Sequence, residues 1–326
     1  MKAVICTKYG PSEVLQLKEV EKPTPRDHEV LVKIHATAVT ASDCIVQGFK
    51  LPFWHPIGFM MGIVVGFSRP RNPILGMVLA GEIEVVGKEV TDFKPGNQVF
   101  AFTGTRFGCY AEYICLPEKS KARYPGDIPS VMTFKPSKMT YEEAAAIVYG
   151  ISLALYYLNK GAVHTGQHVL IYGASGAIGT TAVQIAKHHY GAEVTAICSG
   201  ANAELVQSLG ADHVIDYTRE DRLPAGKRYD FVLDAVGKKK TSPLKLACHQ
   251  ALTPNGKYLS VDVGNPTLKV EHLLLLRELI EAGKFRAVID RTYPLEAMAE
   301  AHRYVDTGHK KGNVVITVTR DEQKVS

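Results

Sequence analysis

Residues 174–179 form a glycine-rich turn that could bind a dinucleotide. The turn reads ASGAIG, follows the apolar run 169–172 and precedes the apolar-patterned stretch 180–187. This order predicts a strand, a tight turn and a helix, and such a turn presents backbone N–H groups at a helix N-terminus to a pyrophosphate. The alternative is a glycine-rich turn that binds no ligand. The residues expected to contact the cofactor are Ala174, Ser175, Gly176, Ala177, Ile178 and Gly179.

The end of the next predicted strand indicates which dinucleotide binds. An acidic residue about 20 residues after the glycines would bond the ribose 2′-hydroxyl of NAD. This chain has Ser199 at that position, and Asn202 follows three residues later. A carboxylate would repel a 2′-phosphate, whereas a hydroxyl and an amide can donate hydrogen bonds to it. These two residues therefore predict NADPH as the cofactor in preference to NADH.

The overall composition is that of an ordinary globular protein. A length of 326 residues predicts two domains, and the formal charge of +5 is modest. The lysine runs at 238–240 and 310–311 are short and loop-like, so we expect no nucleic-acid partner. Six scattered cysteines without a CxxC pair predict reduced thiols in a cytoplasmic protein. The longest apolar stretch, 51–67, is interrupted by prolines and predicts no transmembrane span.

Two kinds of pattern divide the chain. Up to about residue 120, short β-like runs alternate with Pro, Gly and Asp turns, which predicts a mainly β domain. A capping box at Thr140 and Glu143 opens a helix, expected to be either continuous or broken near Gly150. Strands and helices then alternate, as in a parallel doubly wound sheet. The tail is expected to hold a strand at 286–289, a helix at 295–305 and a last strand at 313–318 that rejoins the first domain.

Several ordered motifs resemble those of the medium-chain dehydrogenase/reductase superfamily over essentially the whole chain. Beside the glycine-rich turn they are GPSEVL (10–15), PRDHEVLV (25–32), AGEIEVVG (80–87), FKPGNQV (93–99), GCYAEY (108–113), LGADHVIDY (209–217) and DAVG (234–237). The resemblance implies an α/β protein with a mainly β GroES-like catalytic domain at 1–137 and 267–326. A doubly wound parallel-sheet Rossmann domain is expected at 138–266.

The resemblance also implies roles for single residues. It places Tyr217, Val236, Val261 and Asn313 beside the cofactor and Ser152 near the nicotinamide amide. Tyr217 is equally an ordinary aromatic residue at a strand end. The alternative for Ser152 is a hydroxyl that bonds the backbone of its own helix.

Three positions decide between the metal-dependent and metal-independent branches of the superfamily. Zinc members carry Cys where this chain has Thr40, and His-Glu where it has Met77 and Val78. Thr, Met and Val are poor zinc ligands, and the four-cysteine lobe of zinc members is missing. The chain therefore resembles the zinc-independent, quinone oxidoreductase-like branch, and we expect no metal. That branch reduces quinones or activated double bonds with NADPH.

Two departures from that branch leave the substrate open. Thr40 can donate one hydrogen bond to a substrate carbonyl, but Ile45 stands where relatives often have an aromatic residue that could protonate an enolate. Asp43 is expected to cap a helix. Residues 48–72 are longer and more apolar than the usual loop. They are expected to form either a lid over a hydrophobic substrate, with a peripheral membrane contact, or a helix packed on the β domain.

The sequence thus predicts an NADPH-dependent oxidoreductase for a hydrophobic quinone or enone, with Thr40 and Ser152 as candidate catalytic residues. The alternative is an NADPH-binding accessory protein with little turnover. The interval between Val263 and Leu273 is too short for the sixth sheet strand through which many relatives dimerise. A monomer or an atypical dimer is therefore expected.

Overall fold

The computed structural model describes residues 1–49, 56–123, 126–237, 242–264 and 266–318, which form fourteen strands and eight helices. The strands are β1 (Lys2–Cys6), β2 (Leu15–Glu19), β3 (Glu29–Val39), β4 (Val78–Val86), β5 (Gln98–Phe102), β6 (Tyr113–Pro117), β7 (Val131–Phe134), β8 (His168–Tyr172), β9 (Glu193–Cys198), β10 (His213–Asp216), β11 (Tyr229–Asp234), β12 (Leu252–Ser260), β13 (Ile289–Pro294) and β14 (Asn313–Thr317). The helices are α1 (Ala41–Gly48), α2 (Pro56–Val65), α3 (Tyr141–Gly161), α4 (Ala177–His188), α5 (Ala203–Ser208), α6 (Pro243–Gln250), α7 (Val270–Glu281) and α8 (Met298–Asp306).

The chain divides into two compact units, the first made of Met1–Val148 and Ile289–Ser326 and the second of Tyr149–Val288. The first unit is built on a seven-stranded sheet in the order β13-β14-β3-β4-β5-β7, with β6 also pairing with β3. Alternate residues of β3, among them Val30, Val32 and Ile34, are fully buried in its core, as expected for strands with one covered face. The tail does rejoin this unit, because β14 pairs antiparallel with β3.

The second unit contains a five-stranded parallel sheet in the order β10-β9-β8-β11-β12. Its central strand β8 is a continuous buried run of Val169, Leu170 and Ile171, which is typical of a parallel sheet covered on both faces. The strand order reverses between β8 and β11. In doubly wound sheets a ligand crevice forms at the carboxyl ends of the strands at such a reversal. Both units confirm the predicted fold class, a GroES-like β domain with a Rossmann-type sheet.

The helix α3 begins at the predicted capping box and continues through Gly150. Thr140 N donates to Glu143 Oε2 at 2.9 Å, and Glu143 N donates to Thr140 Oγ1 at 3.2 Å. A Cβ atom at Gly150 would lie 2.5 Å from Thr181 Oγ1 and 2.9 Å from the carbonyl oxygen of Ala177. The glycine therefore permits close packing of α3 against α4 and does not interrupt the helix.

The predicted strand at 286–289 is wrong, since β13 begins only at Ile289. The side chain of Gln184 on α4 uses the backbone groups that a strand would need. Arg286 N donates to Gln184 Oε1 at 2.9 Å, and Gln184 Nε2 donates to Arg286 O at 3.1 Å. These bonds also tie the segment that contains α7 to the second unit. Along the chain, the boundaries between the two units fall between residues 148 and 149 and between residues 288 and 289. The sequence had placed the domain boundaries between 137 and 138 and between 266 and 267.

The apolar stretch 48–72 contains α2, whose C-terminal end is attached to the first unit. Tyr9 Oη donates to the carbonyl oxygens of Val65 at 3.1 Å and Gly66 at 2.8 Å. Val65 is buried, whereas Phe59 is 52% exposed. Residues 50–55 of this stretch lie outside the described residues. Among the helices that are described, none is long and apolar enough to cross a bilayer.

Candidate functional site

The glycine-rich turn closes tightly between β8 and α4. Gly173, with φ of +81°, and Ala174 both donate from their N–H groups to Ile197 O on β9, at 3.0 Å each. A Cβ atom at Gly179 would collide with Gly173 O and would lie 2.6 Å from Ala174 Cα. Glycine at 179 is therefore required for the helix to start this close to the strand.

The first turn of α4 is suited to bind an anion. The helix begins at Ala177, so the N–H groups of Ala177, Ile178 and Gly179 have no acceptor within the helix. The first turn of α4 contains no acidic residue, and the helix dipole adds positive potential at this end. The turn therefore fits the pyrophosphate of a dinucleotide.

Ser199 and Asn202 are connected to this turn by hydrogen bonds. Asn202 Nδ2 donates to Ser175 Oγ at 3.2 Å and to Ser199 Oγ at 3.1 Å. Asn202 Oδ1 is buried and has no hydrogen-bond partner among the described residues. An unsatisfied buried amide oxygen is costly, so this atom is available to accept a hydrogen bond from a ligand hydroxyl.

A carboxylate that sequence reasoning missed lies beside Ser199. The side chain of Asp216, at the end of β10, occupies the space that a Cβ at Gly200 would need. Hydrogen bonds from the side chain and the N–H of Thr218, at 2.7 and 2.9 Å, hold the pKa of Asp216 below its usual value. The only sequence signal was its place directly before Tyr217, which the superfamily resemblance assigns to the adenine.

The other predicted cofactor residues of the second unit follow the carboxyl ends of three strands. Tyr217 comes directly after β10 and is 48% exposed. Val236 packs against Gly173, and Val261 N donates to Asp234 O at 3.0 Å. Together with Ser199 after β9, the structure therefore brings these residues to one edge of the parallel sheet.

A buried ion pair between Asp234 and Lys245 fixes the residues that follow β11. The sequence did not predict this pair. Lys245 Nζ lies 2.7 Å from Asp234 Oδ2 and donates to Gly237 O at 2.6 Å. Asp234 Oδ1 accepts from the N–H groups of Val236 and Gly237, each at 3.1 Å. Burial raises the pKa of Asp234, but the hydrogen bonds and the charge of Lys245 outweigh it and hold the pKa below its usual value. The ionised pair thereby sets the position of Val236.

In the first unit, Thr40 and Asp43 cap α1 reciprocally, as expected for Asp43. Asp43 N donates to Thr40 Oγ1 at 3.2 Å, and Thr40 N donates to Asp43 Oδ2 at 2.8 Å. The Thr40 hydroxyl also donates to Asp43 Oδ2, at 2.6 Å. Thr40 is 6% exposed, and its only hydroxyl proton is thus directed at a carboxylate.

A buried polar cluster extends from this cap to α8. His302 Nδ1 lies 2.9 Å from Gln47 Oε1, and its Nε2 lies 3.0 Å from Tyr110 Oη. Since an amide oxygen can only accept, Nδ1 donates and Nε2 accepts from the phenol. Burial lowers the pKa of His302 to about 3 and raises that of Asp43 to about 6. The imidazole is therefore neutral inside the folded unit.

The remaining predicted site residues have separate environments. Ser152 is 4% exposed and donates to Tyr149 O in its own helix at 2.8 Å. This is the alternative given for Ser152 above, a hydroxyl that bonds the backbone of its own helix. Asn313 is 7% exposed at the start of β14. Met77, directly before β4, and Val78, its first residue, are buried apolar residues. Among the described residues, no group of three or more His, Cys, Asp or Glu side chains could hold a metal ion.

The chain is similar in sequence and in structure to known dehydrogenases and oxidoreductases. The family models for an alcohol dehydrogenase GroES-like domain and a zinc-binding dehydrogenase match residues 26–126 and 177–303. The NADPH-dependent alkenal/one oxidoreductase of Arabidopsis thaliana chloroplasts is 31% identical, over 97% of this chain and 79% of its own. The 2-methylene-furan-3-one reductase of Solanum lycopersicum is 32% identical with the same coverage. The solved quinone oxidoreductase of Coxiella burnetii has a TM-score of 0.81 and 26% identity, covering 98% of this chain and 99% of that one.

Proposed function

The chain belongs to the quinone oxidoreductase-like branch of the medium-chain dehydrogenase/reductase superfamily, and on this premise we propose that it reduces quinones or α,β-unsaturated carbonyl compounds with NADPH and without zinc. The observation that carries the proposal is the turn at 173–179, where a required glycine and unpaired helix N–H groups meet at the carboxyl edge of a parallel sheet. The aliphatic residues at 77 and 78 support the zinc-independent part.

The residues at this edge divide the work of holding the dinucleotide. The first turn of α4 would neutralise the pyrophosphate, Asn202 Oδ1 would accept from a sugar hydroxyl, and Val236 and Val261 would offer an apolar surface at the ends of β11 and β12. When bound, the nicotinamide supplies the hydride. The protein excludes water around it and polarises the substrate carbonyl with hydrogen bonds.

The preference for NADPH over NADH depends on Ser199 and on its neighbour Asp216. The Ser199 hydroxyl can donate to a 2′-phosphate, but the Asp216 carboxylate would repel one. Hydrogen bonds from Thr218 bind this carboxylate and disperse its charge. We expect NADPH to bind at least about tenfold more tightly than NADH, and Asp216→Asn to widen the difference. Equal dissociation constants for the two cofactors in calorimetry would contradict the assignment.

Thr40 is proposed to hydrogen-bond the substrate oxygen, but its hydroxyl proton is directed at Asp43. The hydroxyl can turn towards a substrate only if Asp43 gives up this bond, which a protonated carboxyl does more readily than a carboxylate. Burial raises the pKa of Asp43 to about 6, close enough to neutrality for protonation to occur. Ser152 would likewise have to leave Tyr149 O before it could bind a nicotinamide amide.

The experiment that tests the function is NADPH oxidation with 1,4-benzoquinone, 9,10-phenanthrenequinone, an enone and an aldehyde. We expect turnover of quinones or the enone that persists after treatment with a chelator. Thr40→Val should lower kcat/KM by about tenfold or more, because one hydrogen bond to a developing charge is lost. The exposed Thr24→Val in the same unit serves as the control. Loss of all turnover on chelation would exclude the zinc-free mechanism.

The second candidate is an accessory protein that binds NADPH with little turnover. It is favoured by Ile45, which stands where relatives often have an aromatic residue, and by the engaged Thr40 hydroxyl. Tight NADPH binding without oxidation by any member of the panel would support it.

Three further expectations remain proposals. If α2 is part of a lid, Phe59→Asp should raise KM for a long-tailed quinone and leave KM for benzoquinone unchanged, because Phe59 is 52% exposed. An unchanged KM for both substrates would reject the lid.

Peripheral membrane contact through 48–72 and a cytoplasmic location are also retained as predictions.

A further inference from the structure

The first unit contains a cavity of about 750 Å³ that includes none of the residues assigned to the cofactor and not Thr40. Its volume lies in the range of small-molecule sites. One part of its wall is apolar, formed by the C-terminal end of α2, by β6 and by the loops before them. These apolar lining residues are Val64, Val65, Ile74, Phe107, Ile114 and Leu116.

Three arginines also line the cavity, and two of them form no close ion pair with a described residue. Arg123 donates to both oxygens of Asp127, at 2.9 and 2.8 Å, so its charge is compensated. Arg71 and Arg106 make no side-chain hydrogen bond or ion pair with a described residue. Burial and the neighbouring positive charge of Arg123 lower the pKa of Arg106, and the more distant carboxylates of Glu29 and Asp127 offset this only in part. A partly desolvated cation beside a second one is unfavourable until an anion joins it.

Carboxylates near the cavity offset its positive charge only in part, because Asp127 is already paired with Arg123 and Glu29 makes no close ion pair with Arg106. Glu21 is the one carboxylate among the lining residues, and it is exposed to solvent. An exposed carboxylate is screened by water and offsets little of the potential at a partly buried guanidinium.

Hydrogen bonds within the first unit hold the wall that carries Arg106. Asn72 Nδ2 donates to Arg106 O at 2.9 Å, and Asn72 Oδ1 accepts from Ile74 N at 3.0 Å. Gly108 has φ of +99°, and a Cβ there would lie 2.9 Å from Ile114 Cδ1. The backbone around the arginine is thus fixed, which reduces the entropic cost of binding.

We propose that this cavity binds an amphipathic anion, an acyl chain that ends in a carboxylate or phosphate. The anionic head pairs with Arg106 and Arg71, and the chain lies along the apolar wall. A guanidinium suits this role because it offers paired donors to carboxylate and phosphate oxygens. The site goes beyond the proposed reductase function, because it uses none of the residues that hold the cofactor.

The test is calorimetric titration of the full chain with dodecanoate. We expect binding by the wild type and at least about tenfold weaker binding by Arg106→Gln, since a charge-assisted hydrogen bond is lost. Arg106→Lys should retain part of the affinity, and the more exposed Arg71→Gln should weaken it without affecting folding. Arg303→Gln removes an arginine of the same unit that pairs with Glu13, and it should bind like the wild type.

The source of the anion is separated by two further probes. Dodecanol should bind more weakly than dodecanoate, because it lacks the charged head. Co-sedimentation with phosphatidylglycerol vesicles, but not phosphatidylcholine vesicles, that is lost in Arg106→Gln would assign the head to a membrane lipid. Binding of dodecanoate without co-sedimentation would assign it to a free acyl anion.

No heat of dodecanoate binding, or equal affinities for the wild type and Arg106→Gln, would overturn the proposal. NADPH binding by Arg106→Gln is measured in parallel and should match the wild type. If the cavity binds no anion, NADPH binding should still be observed. If the protein is not a reductase, dodecanoate binding should still be observed.

Discussion

At the level of single residues, Gly179 and Gly176 make a matched pair within one turn. A Cβ at Gly179 would collide with the backbone of Gly173 and Ala174, whereas one at Gly176 would have only an ordinary contact with Gly173 O at 3.6 Å. Gly179→Ala should therefore lower the free energy of unfolding by about 1–3 kcal/mol. Gly176→Ala should change it by less than about 1 kcal/mol. Urea denaturation measures both, and equal losses would show that the turn is less tightly packed than described.

His302 predicts a pH dependence of stability. Its pKa is about 3 in the folded protein and about 6.5 in an unfolded chain, so the unfolded state takes up the proton first as the pH falls. The stability that the neutral imidazole contributes is complete above pH 6.5 and declines below it. At pH 5 the loss is about 2 kcal/mol. Asp43 acts in the opposite sense, because its folded pKa is raised to about 6 and its contribution is lost as the pH rises.

His302→Gln isolates the histidine from this compensation. The decrease in unfolding free energy from pH 7 to pH 5 should be smaller in the variant than in the wild type by about 2 kcal/mol. The exposed His309→Gln provides the control. Identical pH profiles for His302→Gln and the wild type would mean that the imidazole is not buried as described.

Local sequence was sufficient to predict the glycine-rich turn, the capping box at Thr140 and the position of Ser199. Each of these depends on neighbours within a few residues. The partners of His302 could not be predicted in this way, since Gln47 and Tyr110 come from distant parts of the chain. The same applies to Asp216 beside Gly200, which depends on two strands being adjacent.

At the level of elements, the pair Asp234–Lys245 holds residues 235–237, which directly follow β11. Lys245→Met should lower the free energy of unfolding by about 3–5 kcal/mol, because it leaves a buried carboxylate unpaired. It should also weaken NADPH binding, since the turn positions Val236. The double variant Asp234→Asn with Lys245→Met should recover stability more fully than cofactor affinity. Denaturation and calorimetry on the same preparations give both numbers.

An unaltered NADPH affinity in a folded Lys245→Met protein would contradict the positioning role. The ion pair Lys187–Asp212 in the same unit is much less buried and supplies the comparison. Lys187→Met should cost less than about 1 kcal/mol, as is usual for surface ion pairs.

The errors in predicting elements have one physical origin. The pattern at 286–289 is β-like, but the side chain of Gln184 on α4 takes both backbone hydrogen bonds of Arg286. From the local sequence alone, Gly150 suggested a possible break in the helix. In the structure its lack of a side chain allows α3 and α4 to pack closely. In both cases a tertiary contact overrides the local preference.

At the level of the whole molecule, the sheet of the second unit ends at β12. No strand follows β12 before α7 within the described residues, and Pro254 near the start of β12 has no N–H to offer a neighbour. In size-exclusion chromatography with light scattering we expect a monomer, or a dimer that does not use the edge of β12. A dimer that persists at nanomolar concentration, with β12 protected from hydrogen exchange, would contradict this expectation.

The pairing of β14 with β3 has a consequence for biosynthesis. Val314 lies opposite Val39, so the segment that contains β14 must be synthesised before the first sheet can be completed. The second unit, continuous from Tyr149 to Val288, has all its strands available earlier. We therefore expect the second unit to complete its sheet before the first, the reverse of the usual order in which the N-terminal domain folds first during synthesis. Until β14 has been synthesised, the edge of β3 that it will cover is an unpaired strand edge, and such an edge is a template for pairing with other chains.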